Sequence, residues 1–162
     1  MVNRQLIVGP NAITGEWGHN PLPGYDPAQD GTSQPCYCGR DNCIERFVSG
    51  TGFAGRFVER HGRGLYPLGI ITAAAEGDVE AEAHYDHFIQ ALARSVASLI
   101  NVLDPDVIVL GGGLSNIASL YRDLPAAVIP YLFSVQCLTP IVPARYGDSS
   151  GVRGAAWLWP PV

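Results

Sequence analysis

The chain has 162 residues, of which 47% are hydrophobic and 15% are charged. This balance excludes a disordered chain, and the length suits one domain with a substantial core. The net charge of -5 and the lack of any basic run argue against nucleic acid and anionic membranes as partners, since phosphate binding needs clustered lysine and arginine. No apolar run approaches a membrane span and the amino terminus does not resemble a signal peptide, so we expect a cytoplasmic protein.

The first two thirds of the chain are predicted to hold one strand, one long loop and a series of helices. Residues 4–8 are predicted to form a short strand, ended by a Gly-Pro-Asn turn at 9–11. Prolines and glycines between Asn20 and Pro35 allow little regular structure, so this segment is predicted to be a loop. A loop of this length inside a domain is usually functional or disordered. Helices are predicted at 44–48, 53–61, 68–76 and 79–103, with a break between the first two at 49–52.

The rest of the chain has the alternation of an α/β fold. The apolar run at 107–110 predicts a strand buried on both faces, as in a parallel sheet, and three glycines follow it directly. Ser115 is predicted to cap a helix that runs to about Tyr121, and a further short helix is predicted at 125–133. A second strand at 138–142, a glycine-rich turn at 147–151 and a helix at 152–158 complete the chain. This succession indicates an α/β domain.

Three of the four cysteines are clustered. Cys36, Cys38 and Cys43 lie close together with His19 before them, whereas Cys137 lies far along the chain. Three thiolates and one imidazole match a closed, tetrahedral zinc site with no open position for catalysis, so we expect a structural zinc ion that cross-links the long loop. The alternatives for the cluster are a redox-active pair and buried, reduced thiols.

Cys137 is predicted to be a small core residue. The remaining histidines are predicted to lie at the surface: His61, His84 and His87.

The residues around this cluster form a recognisable pattern. Gly-Glu-x-Gly-His at 15–19, followed by Cys-x-Cys-Gly-x-x-Asn-Cys-x-Glu at 36–45, resembles the signature of the ROK family of bacterial sugar kinases and sugar-responsive repressors. Residues 104–113 and 147–156 resemble the adenosine-side motif and the carboxyl-terminal signature of that family. The stretch at 16–23 is most similar to the fructokinase and mannokinase branch. Asn42 stands where family members usually have glycine, and asparagine tolerates the same backbone.

The resemblance implies a fold, an activity and a set of site residues. The family has an actin-like ATPase fold, related to ribonuclease H, and its kinases transfer the γ-phosphate of ATP, bound with Mg²⁺, to a sugar hydroxyl. Glu16, His19 and Glu45 are implied to contact a hexose. Without the resemblance, Glu16 is a surface carboxylate and Glu45 a first-turn residue favoured by the helix dipole. The family also implies a homodimer, and three glycines are implied to approach the nucleotide: Gly111, Gly112 and Gly113.

The resemblance covers the carboxyl-terminal part of the family fold, which we assign to residues 1–162. Residues 14–46 correspond to the sugar and zinc motif, and residues 104–115 to a strand and the nucleotide-side turn. The phosphate loops of the amino-terminal ATPase domain and the catalytic aspartate are expected upstream of Met1, so no catalytic residue is predicted here. We interpret the chain as part of a fructokinase-like hexose kinase, incomplete for catalysis alone. The alternatives are a non-catalytic sugar-binding module, from a repressor or a decayed kinase, and a zinc-stapled fragment that only dimerises.

Overall fold

The structure, a computed structural model, describes residue 5 and residues 7–157. Residues 4 and 6 of the predicted first strand lie outside the described residues, and Ile7 and Val8 have no regular structure. The predicted turn at 9–11 is closed by a hydrogen bond of 3.1 Å from the Ala12 N–H to the Gly9 carbonyl. A 3₁₀ turn follows at Trp17–His19. Within the described part of the chain, no helix combines the length and hydropathy needed to cross a membrane.

The long loop is irregular as predicted, except for one short helix that was not predicted, α1 (Pro27–Asp30). The Asp26 side chain caps it by accepting a hydrogen bond of 3.0 Å from the Ala28 N–H. Pro27 occupies the first helical position, where an N–H is not needed. The cap and the proline together stabilise a single helical turn inside a segment rich in helix breakers.

Helices α2 (Glu45–Val48) and α3 (Gly50–His61) are separated by Ser49 alone, so the predicted break at 49–52 is too long. Ser49 caps α3 by accepting a hydrogen bond of 3.0 Å from the Gly52 N–H. Gly52 is required for packing, because a Cβ at this position would lie 2.5 Å from the Arg46 carbonyl oxygen. The glycine therefore allows two helices to cross closely and does not end one of them.

Helices α4 (Pro67–Ala75) and α5 (Val79–Leu103) form the centre of the fold, and α5 has the predicted bounds. The Asp78 side chain caps α5 by accepting hydrogen bonds of 3.1 Å from the N–H groups of Glu80 and Ala81. Most buried apolar side chains of the helices meet in one hydrophobic cluster around α5, and Phe47 of α2 packs with Leu22 and Ala91 in a smaller second cluster. The large members of the first cluster include Phe53, Phe57, Ile70, Phe88, Leu92, Val96, Leu120 and Leu124.

Strands β1 (Ile108–Leu110) and β2 (Ile141–Pro143) pair in parallel, with Ile108 opposite Ile141. The parallel pairing agrees with the prediction, but burial on both faces does not. Val109 is 56% exposed, because the described residues contain only two strands of the sheet and no element that covers this face.

One helix, α6 (Ala118–Val128), replaces the two that were predicted in the connection between the strands. Ser115 does not cap it; its hydroxyl donates a hydrogen bond of 2.7 Å to the Gly112 carbonyl at the 3₁₀ turn Gly113–Asn116. The helix also continues through Pro125. The chain ends in helix α7 (Ser150–Ala156), and the predicted helix end at residue 158 lies outside the described residues.

The prediction that His84 lies at the surface is wrong. His84 is 4% exposed, its ring stacks on Phe53 at 4.8 Å, and its Nε2 donates a hydrogen bond of 2.8 Å to the Phe53 carbonyl. Burial lowers the pKa of His84 to about 4, so the imidazole is neutral in the folded protein. His61 and His87, which were also predicted to lie at the surface, are both half-buried. Cys137 is partly buried and packs against the core.

Candidate zinc and sugar site

Backbone pairing between the two ends of the long loop brings His19 next to Cys43. Pro21 and Cys43 form an antiparallel bridge, and the Ile44 N–H donates a hydrogen bond of 2.9 Å to the Asn20 carbonyl. The 3₁₀ turn that ends at His19 is therefore held against the segment that begins α2. His19 and Cys43 lie far apart in the sequence, and this backbone pairing brings them close together in space.

Cys36 and Cys38 lie on a tight turn between these paired segments. The Gly39 N–H donates a hydrogen bond of 3.0 Å to the Cys36 carbonyl. Gly39 has a φ of 85° and Asn42 a φ of 56°, the left-handed conformation expected for both positions. The Asn42 side chain further fixes the turn by accepting a hydrogen bond of 2.8 Å from the Gln34 N–H.

The four predicted zinc ligands converge. The donor atoms of His19, Cys36, Cys38 and Cys43 all lie within 4.8 Å of one another. Nδ1 of His19 is 3.6 Å from Sγ of Cys36, and Sγ of Cys38 is 3.5 Å from Sγ of Cys43. Zinc–sulfur bonds of about 2.3 Å place tetrahedral ligands about 3.8 Å apart, so these separations fit a zinc ion. All four cysteines of the chain are free thiols.

The thiols differ in their environments. Burial raises the pKa of Cys43 to about 12, whereas the backbone N–H of Arg40 lowers the pKa of Cys38 to about 7. A buried thiol is stable as a thiolate only beside a positive charge, and a divalent cation supplies that charge. The donor set therefore suits a metal better than it suits three isolated thiols.

The second nitrogen of His19 faces the two predicted sugar-binding carboxylates. Nε2 lies 3.6 Å from Oε2 of Glu45 and 3.9 Å from Oε2 of Glu16. Both carboxylates are substantially exposed, so they are available to a ligand. An open cavity of about 830 Å³ adjoins Glu16 and His19 and is also lined by Trp17, Asn20 and Arg40. This arrangement offers hydrogen-bond acceptors and one imidazole N–H to a polar ligand.

The three predicted nucleotide-side glycines form an open turn after β1. Within the described part of the chain, no atom would lie within 4 Å of a Cβ at Gly111, Gly112 or Gly113. The backbone is therefore accessible to a ligand at close range. A mostly apolar pocket of about 360 Å³ borders Gly113 and is also lined by Tyr66 and Leu68, which belong to none of the recognised motifs. Tyr66 and Leu68 are 88% and 69% exposed, and they flank the proline that starts α4.

Two side-chain contacts near the site were not predicted from the sequence. Asp30 and Arg94 form a buried, two-bond ion pair between α1 and α5, with separations of 2.5 and 3.2 Å. Helical periodicity places Arg94 about 200° around α5 from Leu92, opposite the apolar stripe, so no local pattern in the sequence indicates this pair. Tyr37 was also missed; its hydroxyl lies 2.8 Å from Nε2 of His19.

The chain has the fold of part of an actin-like ATPase, and residues 1–161 match the ROK family. The chain belongs to the ROK family. An N-acetyl-D-glucosamine kinase of Yersinia pseudotuberculosis is 41% identical over 162 residues, covering 98% of this chain and 53% of the relative. The Photobacterium profundum enzyme of the same name is 41% identical over 156 residues, covering 94% of this chain and 52% of its own length. The chain spans about half the length of these curated relatives.

Solved structures agree with this assignment. The ROK hexokinase of Thermus thermophilus matches 94% of this chain and 49% of its own, with a TM-score of 0.77 and 27% identity. A ROK family glucokinase from Streptomyces griseus, in complex with glucose and AMPPNP, matches 91% of this chain and 51% of its own, with a TM-score of 0.74 and 22% identity. The predicted fold class and family are confirmed. The curated relatives are named N-acetyl-D-glucosamine kinases, so the predicted fructokinase and mannokinase branch is not confirmed.

Proposed function

We propose that the chain is the sugar-recognition part of an ATP-dependent hexose kinase, with Glu16, His19 and Glu45 as its sugar contacts. One observation carries the proposal: a single imidazole has Nδ1 among three thiols and Nε2 between two carboxylates. Carboxylates accept hydrogen bonds from hydroxyls, and the imidazole N–H donates one, which suits a polyhydroxylated ligand.

A structural zinc ion on His19, Cys36, Cys38 and Cys43 is part of this proposal. A bound zinc ion supplies a fixed positive charge that keeps the thiols deprotonated and occupies Nδ1 of the imidazole. The proton of the neutral ring then resides on Nε2, where it is directed to the sugar side. His19 thus holds a hydrogen-bond donor in place without itself carrying a charge.

The glycine turn at 111–113 and the apolar pocket beside it are proposed to receive the nucleotide. Glycines allow the backbone to approach a ligand closely, and an apolar pocket of about 360 Å³ suits a planar base. ATP would be bound with Mg²⁺, as phosphoryl transfer in general requires. The complex of the Streptomyces griseus glucokinase with glucose and AMPPNP supports the pairing of a hexose and a nucleotide on this fold.

For the sugar, we propose a fructokinase-like preference, supported by the Glu-Trp-Gly-His-Asn-Pro-Leu-Pro stretch at 16–23. The names of the curated relatives support N-acetyl-D-glucosamine as the alternative. Titration calorimetry of the zinc-loaded chain with fructose, mannose, glucose and N-acetyl-D-glucosamine separates the two. Tighter binding of N-acetyl-D-glucosamine than of fructose would exclude the fructokinase-like preference.

The proposed sugar contacts are tested by Glu45→Gln, which keeps the size of the side chain and removes its charge. Loss of a charge-assisted hydrogen bond is expected to weaken sugar binding by about 10-fold or more. Glu82→Gln, an exposed carboxylate in the first turn of α5, is the matched control and should bind as the unaltered chain does. Equal binding by all three proteins would contradict the assignment of Glu45.

The second candidate function is a non-catalytic sugar-binding module. It is favoured by the motifs themselves, since the predicted sugar contacts are in this chain and the phosphate loops and catalytic aspartate are not among its motifs. An assay of ADP release with each hexose tests whether this chain is catalytic by itself. We expect no significant turnover, because the base that phosphoryl transfer requires is lacking. Robust turnover would overturn the proposal that this chain is incomplete.

A further inference from the structure

Tyr37 lies between two proposed zinc ligands in the sequence, but its side chain contacts the sugar side of His19. The hydroxyl oxygen is 2.8 Å from Nε2 of His19. The phenol ring stands edge-on to the imidazole, with ring centroids 5.0 Å apart and an interplanar angle of 88°. Because Tyr37 is 82% exposed, little packing opposes its movement away from this position.

The hydroxyl of Tyr37 takes the one hydrogen bond that His19 can offer to a sugar. With Nδ1 directed at the thiols, Nε2 carries the only ring proton, and that N–H points at one acceptor. The Tyr37 oxygen is within hydrogen-bond distance, whereas the nearest Glu45 oxygen, at 3.6 Å, is too distant. A sugar hydroxyl can therefore accept this proton only after Tyr37 has moved.

We infer that Tyr37 is a specificity-determining residue whose hydroxyl competes with the sugar for the N–H of His19. The inference rests on the proposed sugar site. Without sugar, the Tyr37 hydroxyl satisfies the N–H; a hexose with a hydroxyl at the matching position replaces it, and the exposed phenol turns to solvent. A sugar that lacks this hydroxyl cannot replace Tyr37 and leaves the site partly closed. Tyr37 thus lowers the affinity for the matching hexose, which must break this hydrogen bond, and keeps a sugar without that hydroxyl from the fully open site.

Tyr37→Phe tests the inference, because phenylalanine keeps the edge-on ring and removes only the competing oxygen. Dissociation constants of fructose, mannose, glucose and N-acetyl-D-glucosamine are measured by calorimetry on the zinc-loaded chain and on the variant. We expect the hexose that binds best to bind about 3- to 10-fold tighter to the variant, the equivalent of one neutral hydrogen bond. Unchanged or weaker binding would overturn the inference, since weaker binding means that the hydroxyl itself contacts the sugar.

Tyr25→Phe is the matched control, because it removes a tyrosine hydroxyl from the same loop at a distance from His19. That hydroxyl donates a hydrogen bond of 2.8 Å to the Gly31 carbonyl. The control should bind sugar as the unaltered chain does, and a gain equal to that of the Tyr37 variant would also overturn the inference. If neither the chain nor the Tyr37 variant binds any of the four hexoses, the proposed sugar site fails, and the inference fails with it. If the unaltered chain binds and the variant shows no gain, only the inference fails.

A measurement without sugar tests the contact itself. In the zinc-loaded chain, the resonance of the His19 Nε2–H should shift when Tyr37→Phe removes its acceptor, whereas Tyr25→Phe should leave it in place. Identical resonances in the chain and in the Tyr37 variant would contradict the hydrogen bond on which the inference depends.

Discussion

His19 connects the two halves of the site because an imidazole has two nitrogens. Nδ1 lies among the thiols, and Nε2 lies between Glu16, Glu45 and the Tyr37 hydroxyl. A residue with one functional atom could serve only one of these environments. At the scale of single residues, the proposed metal and the proposed sugar are therefore coupled through one ring.

At the scale of single residues, His84 is expected to make the free energy of unfolding depend on pH. Its pKa is lowered to about 4 by burial, and an unfolded chain has the ordinary value near 6.5. Between these values the unfolded chain takes up a proton that the folded chain does not, so stability falls as the pH falls through this range. We expect a loss of about 3 kcal/mol between pH 6.5 and pH 4, measured by urea unfolding.

The controls for this prediction are two substitutions on the same helix. His84→Gln should remove most of the pH dependence in this range, and His87→Gln, at a half-buried position, should keep it. A pH dependence that is the same in His84→Gln as in the unaltered chain would show that other groups cause it.

The position and role of a single residue could be predicted from the sequence only where they depend on its neighbours in the chain. The four predicted zinc ligands and the left-handed Asn42 follow from the local pattern, and the structure brings the donor atoms of those four residues together. The burial of His84 depends on Phe53, 31 residues away, and helical periodicity alone placed it at the surface. The direction of the Tyr37 side chain depends on where the loop pairing puts His19, which no local pattern contains.

At the scale of elements, the long loop has two anchors where the sequence indicated one. The predicted metal cluster lies at its ends, and the Asp30–Arg94 pair holds α1 against α5. Arg94 also donates a hydrogen bond of 2.9 Å to the Gly24 carbonyl, and Arg60 one of 3.0 Å to the Gln29 carbonyl. The outer part of the loop is thus bound to the helices independently of a metal.

The buried ion pair gives a prediction for this loop. Asp30→Asn leaves the Arg94 charge buried without its partner, and is expected to destabilise the fold by about 3–5 kcal/mol in urea unfolding. Arg94→Met in the same protein removes that unpaired charge. The double variant should therefore be more stable than Asp30→Asn alone, which identifies the pair as the cause. A double variant less stable than Asp30→Asn would contradict this account.

The crossing of α2 and α3 gives a second prediction, with a matched control on one helix. Gly52→Ala places a Cβ 2.5 Å from the Arg46 carbonyl oxygen, so we expect a loss of about 1–3 kcal/mol in thermal or urea unfolding. Gly55→Ala lies on the same helix where no described atom is within 4 Å, and should stabilise by up to about 1 kcal/mol through helix propensity. Equal effects at both positions would show that close packing at Gly52 is not what requires glycine.

The helices were predictable in their positions and less so in their ends. The bounds of α5 follow from a long apolar periodicity and from a capping aspartate. The break at 49–52 and the division of α6 at Pro125 were wrong, because glycine and proline were interpreted as local breakers. In both places tertiary packing determines the outcome: α2 crosses at Gly52, and α6 is held against α5 and β2 across the proline.

At the scale of the whole molecule, the chain spans about half the length of its curated relatives, and its described residues form a sheet of two strands. Val107 and Val109 are 43% and 56% exposed, although their sequence is that of a buried strand. Sequence composition predicts the burial of a strand in a complete sheet, and the described residues supply only two strands.

We propose that the protein pairs as a homodimer. Sedimentation equilibrium should give twice the chain mass, and a monomer at micromolar concentration would refute this proposal.

The central claim is that one metal ion fixes His19 so that the chain can bind a hexose. Calorimetric titration of the hexose that binds best, on the zinc-loaded chain and on the same chain after zinc removal by a chelator, tests this claim most directly. The account predicts that removal of zinc weakens hexose binding by about 10-fold or more, because the tautomer and position of His19 are lost. Equal binding by the zinc-loaded and zinc-free chains would contradict it.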